Sequence, residues 1–117
     1  MLERKGKIWG TTSLVYQNPY NQVHLLEIKR GGFCSEHRHA RKSNVFTVLS
    51  GRLEIRVWPG LYQNYDSTII GPGESTAVEV GLWHQFLAID DTVCLEVYEA
   101  AEIGEDIERR NVGGVKD

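Results

Sequence analysis

Residues Gly31 to Gly51, GGFCSEHRHARKSNVFTVLSG, decide the fold and carry most of the candidate chemistry of this chain. The run contains two histidines, His37 and His39, that are two positions apart. On an extended strand, side chains two positions apart point to the same face. The β-branched and aromatic residues from Val45 to Leu49 follow, and they are typical of a strand. The stretch therefore predicts a strand face that presents two imidazoles together.

A second segment, Gly73 to His84 with the sequence GESTAVEVGLWH, supplies a third histidine. His84 follows His39 by 45 residues, so only closure of a sheet would bring its imidazole to the pair. Neutral imidazoles bind transition metals, and three of them leave coordination positions open for water and substrate. We therefore expect His37, His39 and His84 to hold a divalent transition metal, namely Fe, Mn, Ni or Zn.

The spacing of these residues resembles the two sequence motifs of the cupin family. The first motif is glycine, five residues, His-x-His, four residues, glutamate, six residues and glycine. The chain matches it at Gly31, His37, His39 and Gly51, with Asn44 where the family has glutamate. The resemblance implies an all-β fold, the cupin double-stranded β-helix or jelly-roll barrel. It also implies a metal site in which Asn44 is a further, weaker ligand through its amide oxygen.

The second motif is glycine, a short spacer, Pro-x-Gly, two residues, histidine, three residues and asparagine. Gly73, Gly81 and His84 match it, whereas Glu79 stands at the proline position and Ala88 at the asparagine position. All the matching glycines and histidines occur in the order of the family's motifs, which makes the resemblance specific.

Short runs of strand-forming residues, separated by glycine, proline and asparagine turns, continue along most of the chain. The predicted strands are 7–16, 22–30, 33–39, 44–50, 52–58, 62–70 (a strand or a loop), 75–80, 84–89 and 92–99. Strands 44–50 and 52–58 are predicted to form a hairpin across a tight Ser50-Gly51 turn. If strand 33–39 is regular, Cys34 lies on the face opposite His37. Strands at this spacing predict an antiparallel sandwich or barrel.

The length of 117 residues predicts one domain over 1–117, with the barrel at about 7–100 and a tail at about 101–117. The charged run from Glu102 to Arg110 and the following Gly113-Gly114 predict a short helical turn or a solvated tail. Glu105-Asp106-Ile107-x-Arg109 and Ile8-Trp9-Gly10 also resemble the cupin domain that closes type II phosphomannose isomerases. That narrower resemblance implies a sugar or sugar-phosphate isomerase or epimerase, although Val112-Gly113-Gly114 departs from it.

Strand parity predicts the neighbours of the metal site. Phe46 and Val48 share a face with Asn44, and Phe86 shares one with His84, so these apolar side chains are candidate pocket walls. Trp83 is a candidate for closing the mouth of the pocket. Three weaker catalytic candidates are Glu79 and Glu96, as acid or base, and Arg109, which can bind an anionic or polyol substrate if the tail folds back. His24 has no partner at ligand spacing, and we leave it out of the site.

The composition bounds the partners of this chain. Its net charge is −3, with 41% hydrophobic residues, so we expect no binding to nucleic acid or anionic membranes. No apolar run approaches a membrane span, and the N-terminus lacks the apolar core of a signal peptide, which predicts a cytoplasmic protein. A small-molecule ligand, such as a carbohydrate, is the expected partner. Barrel edges favour a homodimer through the Tyr62 to Ile70 region or the N-terminal strand.

Three functions remain open from the sequence. The first is the metal-dependent isomerase or epimerase that the narrower resemblance implies. The second is a dioxygenase, because a three-histidine Fe(II) site has open positions that suit O₂ and a bidentate substrate. The third is a non-catalytic module that binds or senses a small molecule, and the sequence does not decide whether the protein is an enzyme.

Overall fold

The computed structural model describes residues 3–60, 64–104 and 106–116, and every regular element within them is a β-strand. The thirteen strands are β1 Glu3–Lys7, β2 Gly10–Gln17, β3 Asn21–Ile28, β4 Gly32–Phe33, β5 His37–Arg38, β6 Lys42–Ser50, β7 Leu53–Trp58, β8 Asp66–Ile70, β9 Ser75–Val78, β10 Trp83–Ala88, β11 Thr92–Ala100, β12 Glu108–Arg109 and β13 Gly114–Val115. No helix long and apolar enough to cross a membrane is present among these residues.

The strands form two antiparallel sheets. The first has the order β1-β2-β3-β11-β6-β9. The second has the order β12-β5-β10-β4-β13, and in addition β7 pairs with β10 and β8 pairs with β7. The inner faces of the two sheets pack on each other. In this interface, the ring centroids of Phe46 in the first sheet and Phe86 in the second lie 6.2 Å apart. This arrangement confirms the predicted all-β jelly-roll architecture.

Alternating residues of the strands fill the space between the sheets. On β6, Phe46 and Val48 are 1% and 0% exposed, and on β7, Leu53 and Ile55 are 0% and 1% exposed. Burying each such side chain stabilises the fold by about 1.5–3 kcal/mol. The apolar residues that recur at every second position of these strands therefore form the core.

The predicted hairpin of strands 44–50 and 52–58 is wrong. β6 pairs with β11 and β9, whereas β7 pairs with β10 and β8, so the connection at Gly51 crosses from one sheet to the other. Gly51 has a φ of +89°, and a Cβ there would collide with the backbone carbonyl of Asp91. Alternating apolar residues indicate which face of a strand is buried, but they do not indicate which strand lies beside it.

Two predicted strands are interrupted. The predicted strand 7–16 is divided at Ile8 and Trp9, where the chain reverses direction. As a result, β1 and β2 are antiparallel neighbours. Strand 33–39 is irregular at residues 34–36, which separate β4 from β5. Because the parity is lost there, Cys34 faces inward, where its Sγ accepts a hydrogen bond of 3.2 Å from the backbone N–H of Phe86.

The C-terminal tail is neither helical nor loose, which corrects the predicted helical turn or solvated tail. We refer to residues 106–116 as the C-terminal strap. Within it, β12 pairs with β5 and β13 pairs with β4, so the strap supplies hydrogen-bond partners to short strands of the second sheet. The guanidinium of Arg110 also lies over the rings of Trp83 and Trp58, at 4.5 and 5.1 Å from their centroids. These contacts fix the strap against the barrel.

Candidate metal centre

The sheet brings the three predicted histidines together. His37 of β5 and His84 of β10 are direct partners in the strand register, and His39 follows β5. The ring centroids are 4.4 Å apart for His37 and His84, 5.1 Å for His37 and His39, and 5.4 Å for His39 and His84. One ligand atom from each residue lies within 4.8 Å of the others. The cluster can therefore hold one metal ion.

Backbone carbonyls fix the orientation of each ring. The Nδ1 atoms of His37, His39 and His84 lie 2.7, 2.5 and 3.0 Å from the carbonyl oxygens of Ser35, Asp106 and Leu82. Because a carbonyl oxygen only accepts, each Nδ1 carries the proton and donates, which leaves the Nε2 lone pair free.

The free nitrogens suit a metal ion. Among the described residues, the Nε2 atoms of His39 and His84 are buried and have no hydrogen-bond partner. Buried polar atoms without a partner are rare in folded proteins, and a metal ion would satisfy them. Burial lowers the pKa of His37 to about 3 and that of His39 to about 4, and it lowers the pKa of His84 as well. The three imidazoles are therefore neutral near pH 7, as metal ligation requires.

Asn44 lies beside the cluster and is 1% exposed. Its Nδ2 donates a 2.8 Å hydrogen bond to Oε2 of Glu96, and its Oδ1 is a third buried atom without a partner in the part of the chain described. The hydrogen bond to Glu96 leaves the amide oxygen as the only ligand atom that Asn44 can offer. Its predicted role as a weaker metal ligand is consistent with this orientation and stays a prediction.

A cavity of about 860 Å³ opens above the histidines. His37 and His39 line it, whereas His84 and Asn44 lie beneath them, each 1% exposed. Its polar lining residues are Lys5, Lys7, Thr12, Gln17, Gln22, His24, Ser35, Lys42, Glu96, Tyr98, Asp106 and Arg109. The volume is in the range of small-molecule sites.

The predicted acid and base candidates separate clearly. Glu96 lines the cavity and is 7% exposed, and burial raises its pKa to about 7 against the opposing effect of hydrogen bonds from Asn44 and Tyr98. Glu79, by contrast, is exposed just after β9 and does not line the cavity. Arg109 does line it, because the C-terminal strap folds back over the mouth.

The predicted pocket walls are only partly correct. Phe86 lines the cavity, but Phe46 and Val48 lie deeper in the core and do not reach it. Trp83 does not close the mouth, because its position next to His84 on β10 turns it to the outer face of the sheet. There the guanidinium groups of Arg38 and Arg110 lie 4.8 and 4.5 Å from the centroid of its ring.

Sequence reasoning missed many of the lining residues, and three of these contact one another. Lys42 is 9% exposed, with its ammonium 4.1 Å from the ring centroid of Tyr98. Tyr98 in turn makes edge contacts with His39 and with His24, the histidine that we left out of the site. Strand parity could have identified two of them, since Lys42 shares a face with Asn44, and Tyr98 shares one with Glu96.

Solved structures resemble this fold at low sequence identity. KdgF from a Halomonas species has a TM-score of 0.73 and 15% identity, with 84% of this chain and 87% of that chain covered. PAC13 from Streptomyces, solved with uridine and described as a nucleoside dehydratase, has a TM-score of 0.77 and 16% identity, with 94% and 85% covered. Oxalate decarboxylase from Bacillus subtilis has a TM-score of 0.77 and 14% identity, and the match covers 92% of this chain but only 29% of that longer one.

Of two sequence comparisons, one identifies a family. No curated protein matches the chain significantly. A family model described as a cupin domain matches residues 24–98, a segment that contains His37, His39 and His84 and spans well over half of the chain. The chain therefore belongs to the cupin family.

Proposed function

We propose that this cupin is a metal-dependent enzyme that binds an oxygen-rich small molecule and moves a proton on it. The observation that carries the proposal is the cluster of three buried imidazoles, in which one ligand atom of each lies within 4.8 Å of the others, next to a cavity that His37 and His39 line. A divalent transition metal held by His37, His39 and His84, with Asn44 Oδ1 as a further ligand, would polarise oxygen atoms of the bound molecule.

The cavity wall beside the histidines supports proton transfer. Glu96 accepts hydrogen bonds from Asn44 and Tyr98, so its carboxyl group is held at a defined position in the wall. A carboxyl group and a phenol in one cavity are suitable groups for accepting and donating a proton at the ligand. This pair favours an isomerase, an epimerase or a related proton-transfer enzyme over a passive binding module.

The narrower relationship to type II phosphomannose isomerases stays a prediction. Of the residues that suggest it, Glu105 lies outside the described residues, while Arg109 lines the cavity. PAC13, a structure of similar fold, contains uridine, which supports a sugar-containing molecule as the ligand of this cavity. The sugar and sugar-phosphate class is therefore our first choice of substrate.

The test measures whether the protein catalyses the exchange of carbon-bound hydrogen of a sugar for deuterium from the solvent. Purified protein without a histidine tag is loaded with Zn²⁺, Mn²⁺ or Ni²⁺ and incubated in D₂O with aldoses, ketoses and hexose phosphates. Mass spectrometry then measures deuterium in carbon-bound positions. We expect exchange with the native protein and a loss of exchange in Glu96→Gln and in the double variant His37→Ala, His84→Ala.

Three outcomes would change the proposal. Equal metal content in the native protein and the double variant would refute the metal site. Tight ligand binding without any exchange would indicate a non-catalytic binding module. Oxygen uptake by the Fe(II)-loaded protein, measured with an oxygen electrode, would indicate the dioxygenase instead.

We also propose a homodimer. β1 is an edge strand of the first sheet, and β8 is an edge of the second, with Ile69 49% exposed. These strands fall within the two predicted interface regions, although residues 61–63 lie outside the described part of the chain. Unpaired strand edges favour pairing with a second copy. A monomer in sedimentation velocity would contradict this proposal.

The cytoplasmic location that we predicted from the sequence stays a prediction.

A further inference from the structure

The described lining of the cavity contains more cations than carboxyl groups, although the protein as a whole is acidic. The chain carries a net charge of −3. Among the described residues, the lysines, arginines and carboxylates that line the cavity are Lys5, Lys7, Lys42, Arg109, Glu96 and Asp106. Four positive groups against two carboxyl groups give +2 even when both carboxyl groups are ionised. A concave site of one sign attracts ligands of the other sign.

The candidate metal ligands do not reduce this positive charge. Three neutral imidazoles and the neutral amide of Asn44 would leave the full charge of a divalent ion uncompensated. The cupin motif has glutamate at the position of Asn44, so this chain lacks an anionic group there. The carboxyl group of Glu96, which lies beside Asn44, accepts a hydrogen bond from the amide nitrogen of Asn44.

The strand register shows to which face of the sheet the side chain of Arg109 projects. Arg109 of β12 lies directly opposite His37 of β5, and residues directly opposite each other in an antiparallel pair project to the same face. Its side chain therefore leaves on the cavity side with the imidazole. The neighbouring Glu108 projects to the other face, where its carboxylate lies 2.8 Å from the guanidinium of Arg38.

The carboxylates nearby are already used. Both oxygens of Asp106 accept hydrogen bonds from backbone N–H groups, at 3.0 Å from Ala40 and 2.6 Å from Arg41. Within the described residues, no carboxylate forms an ion pair with Arg109. The guanidinium is therefore available at the mouth of the cavity, and a guanidinium binds carboxylate or phosphate groups through paired hydrogen bonds.

We propose that the ligand of this cavity is a small organic anion, in which a carboxylate or phosphate group that binds Arg109 is attached to a hydroxylated chain. The inference rests on the proposed function, which it deepens by naming the class of ligand. Neutral polyols of the same size are excluded as the preferred ligand, because they offer no anionic group to the guanidinium of Arg109.

The test compares hydroxylated six-carbon ligands with and without an anionic group. Gluconate and sorbitol have the same number of carbons, and sorbitol 6-phosphate adds the phosphate alternative. Isothermal titration calorimetry at constant ionic strength measures the binding of each to the native protein, both loaded with Co²⁺ and metal-free. The variants are Arg109→Gln, which removes the charge, Arg109→Lys, which keeps it, and Arg52→Gln, an exposed control outside the cavity lining.

We expect gluconate or sorbitol 6-phosphate to bind at least about tenfold more tightly than sorbitol, since a charge-assisted hydrogen bond corresponds to roughly that factor. Arg109→Gln should abolish the preference, Arg109→Lys should keep part of it, and Arg52→Gln should leave it unchanged. The better of the two anions identifies the group as carboxylate or phosphate.

Equal affinity for sorbitol and both anions, or an anion preference that survives Arg109→Gln, would overturn the inference. The absorption band of bound Co²⁺ separates this failure from failure of the proposed function. If Co²⁺ does not bind, the metal proposal falls, and the metal-free titrations still decide the anion preference. If Co²⁺ binds and no ligand is preferred, only the anion inference falls.

Discussion

Replacing Glu96 with glutamine should change how the stability of the metal-free protein depends on pH. The carboxyl group is 7% exposed in the cavity wall, and burial raises its pKa from 4.5 to about 7. Because the folded protein binds the proton more tightly than the unfolded chain, Glu96 contributes stability that is complete below pH 4.5 and is lost as the pH rises through 7. Glutamine has no proton to lose, so the variant lacks this dependence.

The magnitude follows from the two pKa values. Each pH unit between them corresponds to about 1.4 kcal/mol, so ionisation of Glu96 costs the folded state about 3 kcal/mol in total. Between pH 5 and pH 8, the free energy of unfolding of Glu96→Gln should rise relative to the native protein by about 2–3 kcal/mol. The histidines act in the opposite direction, since their lowered pKa values remove stability as the pH falls below 6.5. Their contribution is present in both proteins and cancels in the difference.

The assay is equilibrium unfolding in urea with EDTA present, followed by tryptophan fluorescence at several pH values. Glu79→Gln is the matched control, because the side chain of Glu79 is exposed and outside the cavity, and its difference from the native protein should stay flat. Parallel pH profiles for the native protein and Glu96→Gln would show that Glu96 is not buried as described, and the reasoning about its environment would be refuted.

Three further predictions concern the metal and the fold. Adding Zn²⁺ or Ni²⁺ at about 1,000 times its dissociation constant should stabilise the native protein by about 4 kcal/mol, measured by thermal unfolding, and should not stabilise the double variant His37→Ala, His84→Ala. Phe46→Ala should lower the free energy of unfolding by about 3–5 kcal/mol in urea titrations, because Phe46 is 1% exposed. Gly51→Ala should destabilise the fold by about 1–3 kcal/mol or more in the same assay, because of its positive φ and the contact with Asp91.

Two matched variants control the predictions about the fold. Val45→Ala changes the neighbour of Phe46 on the outer face of β6, where Val45 is 37% exposed, and it should cost less than Phe46→Ala. Gly60→Ala adds a Cβ that meets no atom of the described residues within 4 Å, and it should have little effect. Equal losses in each pair would contradict the account of the core and of the sheet-crossing turn.

The candidate site was predictable where local spacing determines it. The i, i+2 spacing of His37 and His39, the position of His84 in the second motif and the alternation around Phe46 are properties of neighbouring residues. Together with the resemblance to the cupin motifs, they predicted a jelly-roll fold and the convergence of three imidazoles, which the structure contains. Whether these imidazoles bind a metal stays a prediction.

The prediction failed where distant segments meet. Pairing of β6 with β11, rather than with β7, depends on which strands are neighbours after the sheets have closed, and side-chain alternation is the same in either case. The C-terminal strap has the composition of a solvated tail, yet backbone hydrogen bonds to β4 and β5 order it and bring Arg109 to the cavity.

The sequence by itself therefore determined the all-β class, through the period of residues along the strands, and the identity of the clustered histidines, through the resemblance to the cupin motifs. Only the tertiary structure decided that Glu96, Lys42, Tyr98 and Arg109 share one cavity, and that burial raises the pKa of Glu96. The physical reason is that cavity lining, desolvation and charge balance depend on which segments exclude water from one another. That exclusion exists only after the two sheets and the C-terminal strap have come together.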